Sequence, residues 1–158
     1  MKKSYLSLFA CVFLTLAAGM ISGAANRPDA WYAALVKPLW TPPGWIFAPV
    51  WIVLYVLMGV ALWLIWERRS ARLSSMAITL FMIQLILNVA WSWFFFGLHS
   101  PALAFADICL LWAAILATIL LFASVYRPAA LLLVPYFLWM SFAAVLNFSI
   151  WRLNAVII

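Results

Sequence analysis

The side chains of this chain that could recognise a ligand lie within long apolar segments. Gln84, Asn88 and Ser92 follow one another at four-residue spacing, and Trp91 falls on the same face of a predicted helix. An amide offers both a hydrogen-bond donor and an acceptor, and an indole joins a flat apolar ring to an N–H donor. Such a face is suited to a flat, largely apolar ligand with a few polar groups.

Two other segments repeat this combination of aromatic, polar and small residues at helical spacing. Their members are Tyr136, Trp139, Ala143 and Asn147 in one segment, and Trp51, Tyr55 and Gly59 in the other. Two interpretations stay open, because Asn, Gln and Ser also form interhelical hydrogen bonds that merely hold a membrane bundle together. Tryptophans near span ends are more typical of interfacial anchors, and these are Trp45, Trp63, Trp66 and Trp151.

The composition identifies the environment of these helices. Of 158 residues, 71% are hydrophobic and 8% are charged, which is too little charge to cover the surface of a soluble domain. The net charge of +6 comes from scattered basic residues that form no face, so we expect no nucleic-acid partner. Cys11 and Cys109 lie in separate apolar runs and predict neither a disulfide framework nor a metal site.

Five uncharged intervals are each long enough to cross a bilayer, which requires roughly 20 apolar residues. The sequence therefore predicts an all-α integral membrane protein, a single transmembrane domain (1–158) built as a bundle of five transmembrane helices. The predicted helices are 5–25, 44–66, 73–97, 101–125 and 129–152, with a long external loop at 26–43. An alternative for the first span is a cleavable signal peptide, since Lys2-Lys3 and Ser22-Gly23-Ala24 flank its apolar stretch.

The basic residues also predict the orientation of the chain. Five spans place six of them on one side of the membrane and three on the other, and the richer side is expected to be cytoplasmic. The six are Lys2, Lys3, Arg68, Arg69, Arg72 and Arg127, and the three are Arg27, Lys37 and Arg152. We therefore expect a multi-pass protein of a bacterial inner membrane, with a cytoplasmic N-terminus and an external first loop and C-terminus. A mitochondrial outer membrane stays an alternative.

Depth estimates bring the three faces together near the external leaflet. At about 1.5 Å of rise per residue, most of their members lie roughly 6–15 Å below the external helix ends, with Trp139 and Tyr136 deeper. Asp107 lies about 9 Å from the start of the fourth span, where a carboxylate must be paired, hydrated or protonated. Arg27 and Lys37 are on the same side, but the sequence identifies no partner. His99 is too far from Asp107 for a catalytic pair and is expected at the surface.

The first loop is rich in aromatic residues and stiffened by Pro42-Pro43, which predicts a lid over the bundle, although the same rings could rest in the interfacial layer. Gly19-x-x-x-Gly23 and Ala113-x-x-x-Ala117 allow close helix contacts, either within one bundle or in a homodimer. The sequence holds no phosphate-binding loop, paired carboxylates, metal-ligand cluster or nucleophile elbow. We therefore expect no cofactor, no metal site and no enzyme built from these side chains.

The motifs taken together resemble the tryptophan-rich sensory protein / translocator protein family, also called peripheral-type benzodiazepine receptors. The resemblance is carried along nearly the whole chain by Trp31-Tyr32, Lys37-Pro38, Trp40-x-Pro42-Pro43-x-Trp45-x-Phe47, Trp51, Leu54-Tyr55, Gln84-x-x-Leu87-Asn88-x-x-Trp91-Ser92, Phe95-Phe96-Gly97 and Pro135-Tyr136-x-Leu138-Trp139-x-x-Phe142-Ala143-x-x-Leu146-Asn147. It implies that the first span is retained.

The resemblance further implies a five-helix bundle, often dimeric, that binds protoporphyrin, haem-like tetrapyrroles and other flat hydrophobic molecules beneath the first loop. The positions that match ligand contacts of the family are Tyr32, Pro42, Trp51, Tyr55, Asn88, Trp91, Ser92, Trp139, Ala143, Leu146 and Asn147. The expected role is a membrane receptor or regulator. Alternatives are a porphyrin transporter, a porphyrin-degrading activity that depends on light and oxygen, and an assembly protein without a ligand.

One position departs from the family pattern. The sterol-associated segment has the form Leu-x-Tyr-x-x-x-Arg, and here Phe148 takes the place of the tyrosine between Leu146 and Arg152. This motif is weak support for sterol binding even when intact. We therefore expect a porphyrin-type ligand and claim no sterol binding.

Overall fold

The structure is a computed structural model that describes residues 4–25 and 28–155. It contains six α-helices and, in these two ranges, no β-strand. The helices are α1 (Tyr5–Ala25), α2 (Ala30–Ala34), α3 (Phe47–Trp66), α4 (Ser74–Ser92), α5 (Pro101–Val125) and α6 (Arg127–Leu153). Five of them, all except α2, are long and apolar enough to cross a membrane, which confirms the predicted fold class.

The helix ends depart from the predicted ranges in ways that local chemistry explains. A 3₁₀ turn, Gly44–Ile46, leads into α3, and a π-helical turn, Trp93–Gly97, follows α4. The last helix begins at Arg127 because Pro128 occupies its first turn, where a missing N–H breaks no helical hydrogen bond. The segment predicted as a loop contains α2, whose first turn is capped by the Asp29 carboxylate accepting from the Tyr32 N–H at 3.0 Å.

The five long helices form a closed ring in the order α1, α3, α6, α5, α4, and α4 returns to α1. Buried aromatic and aliphatic side chains fill the centre, and Phe81 of α4 stacks on Phe122 of α5 with ring centroids 5.9 Å apart. The segment 28–46 lies over the end of the ring that holds the start of α5 and the end of α6. We call this end the loop end.

Two glycines allow α1 and α3 to pack closely, Gly59 on α3 and Gly19 on α1. A Cβ added to Gly59 would lie 2.5 Å from Val12 Cα of α1, so this crossing requires glycine. One turn earlier on α3, Thr15 donates to the Tyr55 carbonyl at 2.8 Å. Gly19 also belongs to the α1–α3 contact, since a Cβ there would lie 2.2 Å from the Tyr55 ring. The sequence left open whether Gly19 serves one bundle or a pair, and the structure places it inside one bundle.

Candidate ligand-binding site

Four polar side chains from three helices form a hydrogen-bonded group in the bundle interior, which we call the central network. The Tyr55 hydroxyl of α3 donates to Asn88 Oδ1 of α4 at 2.6 Å. Asn88 Nδ2 donates to the Tyr136 hydroxyl of α6 at 3.1 Å, and that hydroxyl donates to Gln84 Oε1 at 3.0 Å. All four side chains are buried and none carries a formal charge. The network therefore joins α3, α4 and α6 without placing an ion in the membrane.

A second polar contact lies closer to the loop end. The Trp91 indole N–H donates to Asn147 Oδ1 at 2.9 Å, and Asn147 Nδ2 donates to the Pro101 carbonyl at 2.9 Å. Trp91 also stacks on Phe95, with ring centroids 5.2 Å apart. These bonds fix the flat face of Trp91 relative to the start of α5 and to α6.

Aromatic rings of α3, α6 and the loop lie beside the central network in two sets of ring contacts, and we call the surface they make up the aromatic wall. Trp51 stacks on Tyr55 with ring centroids 5.3 Å apart and meets the Tyr136 ring edge-on at 6.3 Å. One helical turn away, Phe47 contacts Trp139 edge-on at 5.8 Å. The surface ends in two further contacts, Trp139 with Phe142 and Phe142 with Trp40.

The loop is anchored to the loop end by one apolar side chain and one amide. Leu35 is buried and packs with Phe95, Ala104, Leu146 and Ile150. The next residue, Val36, is held by Asn154, just beyond α6. Its N–H donates to Asn154 Oδ1 at 2.9 Å, and Asn154 Nδ2 donates to its carbonyl at 2.9 Å.

The residues that follow this anchor are exposed or half-buried. Leu39 is fully exposed and Trp40 is 48% exposed, while Lys37 folds back to donate to the Tyr32, Ala33 and Leu35 carbonyls at the end of α2. The loop therefore has a first half that Leu35 and Asn154 anchor, and a second half that contains Pro42 and contacts the bundle through Trp40 and Phe142.

A contact between a histidine and a carboxylate at the surface holds the start of α2. His99 Nε2 lies 3.0 Å from Asp29 Oδ2, and the His99 ring stacks on Trp31 at 4.4 Å. The Tyr32 N–H and, less strongly, the nearby His99 hold the pKa of the Asp29 carboxyl below its ordinary value. Burial raises the pKa of the Tyr32 phenol, which stays a neutral hydroxyl. His99 lies at the surface, as expected, but the sequence did not indicate its bond to Asp29.

Most of the predicted site residues take part in one of the groups of contacts described above. Tyr55 and Asn88 belong to the central network, Trp51 and Trp139 to the aromatic wall, and Trp91, Asn147 and Leu146 to the packing below Leu35. Tyr32 packs edge-on against Phe95 and Phe96. Ser92 is buried, and Ala143 is half-buried against the main core. Pro42 is half-buried on the second half of the loop.

The side chains of the candidate site pack against one another. A cavity of about 340 Å³ lies instead on the outer flank of the bundle between α1 and α4, lined by Ala18, Leu85, Ile86, Val89 and Ala90, none of which was predicted. Because the amides of Asn88 and Gln84 bond to tyrosine hydroxyls of neighbouring helices, they also fit the alternative that they hold the helices together. A ligand entering beneath the loop would have to displace part of the aromatic wall or the second half of the loop.

Several residues of the arrangement were not among the predicted ligand contacts. Phe47 and Phe142 extend the aromatic wall, and both are within four residues of a predicted tryptophan on the same helix. Gln84 ends the central network and was recognised only as part of the α4 face. Asn154 follows the last helical turn, where helical periodicity gives no information. Arg27, considered as a partner for Asp107, lies outside the described residues.

The fold and this aromatic and amide arrangement define a multi-pass α-helical membrane protein rich in tryptophan. The TspO/MBR family matches residues 11–152, and the chain belongs to this family. It is 46% identical over 160 residues to the tryptophan-rich protein TspO of Chlorobaculum tepidum, covering 98% of this chain and 99% of that one. It is 37% identical to the tryptophan-rich sensory protein of Cereibacter sphaeroides, covering 94% and 92% of the two chains. It is 42% identical to the translocator protein of Ovis aries, covering 78% and 75%.

Proposed function

We propose that the protein is a membrane receptor or regulator that binds protoporphyrin, haem-like tetrapyrroles and similar flat hydrophobic molecules between α3, α4 and α6, beneath the loop. The observation that carries this proposal is the aromatic wall lying against an uncharged hydrogen-bonding network. Trp51 joins the two, because it contacts both Tyr55 and Tyr136. Indole and phenol rings stack on a planar conjugated ligand, and the amides of Asn88 and Asn147 can bond to its polar atoms.

The loop is suited to covering such a ligand. Leu35 and the Asn154 amide fix its first half, so Trp40 in the second half can move without releasing the loop. Trp40 rests on Phe142, which in turn contacts Trp139. Displacement of Trp40 would therefore uncover the outer edge of the aromatic wall. On this proposal, a ligand enters at that edge and the loop closes over it.

The proposed binding is tested by titrating purified protein in lipid nanodiscs with free-base protoporphyrin and following its absorbance and the quenching of tryptophan fluorescence. Trp139→Phe and Asn88→Leu should each weaken binding about tenfold or more, since each removes a contact worth roughly 1–2 kcal/mol. Trp66→Phe is the matched control, because Trp66 is 41% exposed at the opposite end of the bundle. Wild-type affinity in both site variants would overturn the proposal, provided that circular dichroism shows them folded.

Binding, transport and turnover are separated by two further assays. Porphyrin uptake into proteoliposomes would identify a transporter, whereas binding without uptake identifies a receptor. Incubation with porphyrin in light and in darkness, compared with protein-free samples, tests for degradation. Receptor and transporter functions both need testing, because one relative is named a sensory protein and another a translocator protein.

We also propose a bacterial inner membrane as the location, with the loop end external and the opposite end cytoplasmic. The six-to-three division of basic residues supports this orientation. Arg69 and Arg72 in the Glu67–Leu73 connection are exposed at the proposed cytoplasmic end. Labelling of single cysteines placed at positions 40 and 70 by a membrane-impermeant reagent tests the orientation. Pairing of two copies stays a prediction, to be tested by mass measurement in nanodiscs.

A further inference from the structure

Asp107 is the one carboxyl-bearing side chain within the five membrane-spanning helices. It lies on the inner face of α5, two turns from the loop end, and is 5% exposed. Its neighbours on that face, Ala104, Ile108 and Leu111, are completely buried and apolar. A carboxyl group in this position is largely removed from solvent and lies among apolar side chains.

No basic side chain lies within salt-bridge distance of Asp107 in residues 4–25 and 28–155, where the one contact between a basic and an acidic side chain joins His99 to Asp29. The elements packed on α5 are α4, the π-helical turn and α6. Neither α4 nor the turn contains a charged residue. On α6, Arg127 and Arg152 are exposed at the two ends, and the titratable group that interacts electrostatically with Asp107 is the Tyr136 hydroxyl.

One oxygen of the Asp107 carboxyl group, Oδ2, is also buried and has no hydrogen-bond partner among the described residues. The Tyr136 hydroxyl is already engaged, since it accepts from Asn88 and donates to Gln84. An unpaired carboxylate in such surroundings costs several kcal/mol, and taking up a proton removes that cost.

From these surroundings we propose that Asp107 is an intramembrane proton-binding site. Its carboxyl group holds a proton, and so carries no charge, at pH 7 while α5 packs against α4 and α6. Loss of the proton would leave a negative charge among the buried apolar side chains of α5 and favour the entry of water between these helices. The site would thereby link proton uptake to closure of the bundle around the central network. Proton binding at Asp107 does not require a bound porphyrin.

Infrared spectroscopy tests the proposal directly, because the chain has only three acidic side chains, Asp29, Glu67 and Asp107, besides its C-terminal carboxyl. Protein in lipid bilayers at pH 7 should show the carbonyl stretch of a protonated carboxylic acid. This band should vanish in Asp107→Asn and persist in Asp29→Asn and Glu67→Gln. Absence of the band at pH 7, or its survival in folded Asp107→Asn, would overturn the proposal.

A second variant keeps the test valid if Asp107→Asn does not fold. The double variant Asp29→Asn/Glu67→Gln leaves Asp107 as the sole acidic side chain. Raising the pH should convert its protonated band to carboxylate bands. A spectrum that shows only carboxylate at pH 7 would overturn the proposal in this variant too.

Discussion

The Asn154 carboxamide pairs with the backbone of Val36, 118 residues earlier in the chain, through two hydrogen bonds of 2.9 Å. A third bond, from Asn154 Nδ2 to the Ile150 carbonyl at 2.8 Å, fixes the amide to the last turn of α6. One buried side chain thereby connects the loop to the end of the bundle.

Asn154→Leu should release the first half of the loop. Removing both bonds to Val36 costs about 2 kcal/mol, which corresponds to roughly 30-fold faster amide exchange in the segment 30–37. Hydrogen–deuterium exchange with mass spectrometry measures this change. Ser149→Ala serves as the control, because the Ser149 hydroxyl bonds only to the Val145 carbonyl on its own helix. Equal exchange in Asn154→Leu and wild type would show that the loop is anchored elsewhere.

Gly19→Ala should disturb the proposed site from α1, a helix that supplies none of its ligand contacts. The added Cβ would lie 2.2 Å from the Tyr55 ring, which is held between Trp51 and Asn88 and cannot easily yield. Overpacking of this kind costs about 1–3 kcal/mol in unfolding free energy, and porphyrin affinity should fall as the ring moves.

Gly23→Ala provides a matched control for this prediction, because a Cβ at Gly23 meets nothing within 4 Å. Unfolding in denaturing detergent and protoporphyrin titration should both distinguish the two variants. Equal stability and affinity in Gly19→Ala and Gly23→Ala would contradict the described contact between α1 and Tyr55.

The bond between Tyr55 and Asn88 should be measurable as a coupling energy. Tyr55→Phe removes the hydroxyl and leaves Asn88 Oδ1 without this donor, so we expect a loss of about 1–3 kcal/mol in unfolding free energy. A double-mutant cycle with Asn88→Leu should give a coupling of about 1 kcal/mol. Tyr5→Phe is a suitable control, since Tyr5 is 72% exposed. A coupling near zero would mean that the central network contributes little to stability.

The start of α2 should loosen in acid. The folded state lowers the pKa of the Asp29 carboxyl below the ordinary value for an aspartate, about 4. The carboxylate therefore stabilises the folded loop at pH values above about 4. This contribution is lost as the pH falls through the lowered pKa. Asp29→Asn keeps an N-cap oxygen but has no charge, so its loop should lack this pH dependence. Amide exchange of residues 30–34 in wild type and variant, measured from pH 6 downward, tests the effect. Matching pH profiles would contradict it.

The sequence was sufficient for the five spans, because the charged residues that separate them cannot lie in hydrocarbon. Helical spacing also placed Tyr55, Asn88 and Tyr136 on faces that meet, since polar groups in a membrane turn inward. It could not specify which hydroxyl bonds to which amide, because a rotation of a few degrees exchanges such partners. The Asn154 anchor depends on a contact between distant segments, which no local pattern encodes, whereas α2 begins at a local N-cap, Asp29, that the predicted loop did not take into account.

The central claim is that a flat ligand lies against the aromatic wall, and the most direct test is to locate the tryptophans that a bound porphyrin touches. Protein carrying protoporphyrin is illuminated briefly, and oxidised tryptophans are mapped by mass spectrometry. The account predicts oxidation concentrated at Trp51, Trp91 and Trp139. Oxidation spread over the exposed residues Trp45, Trp66 and Trp93, with these three spared, would contradict it.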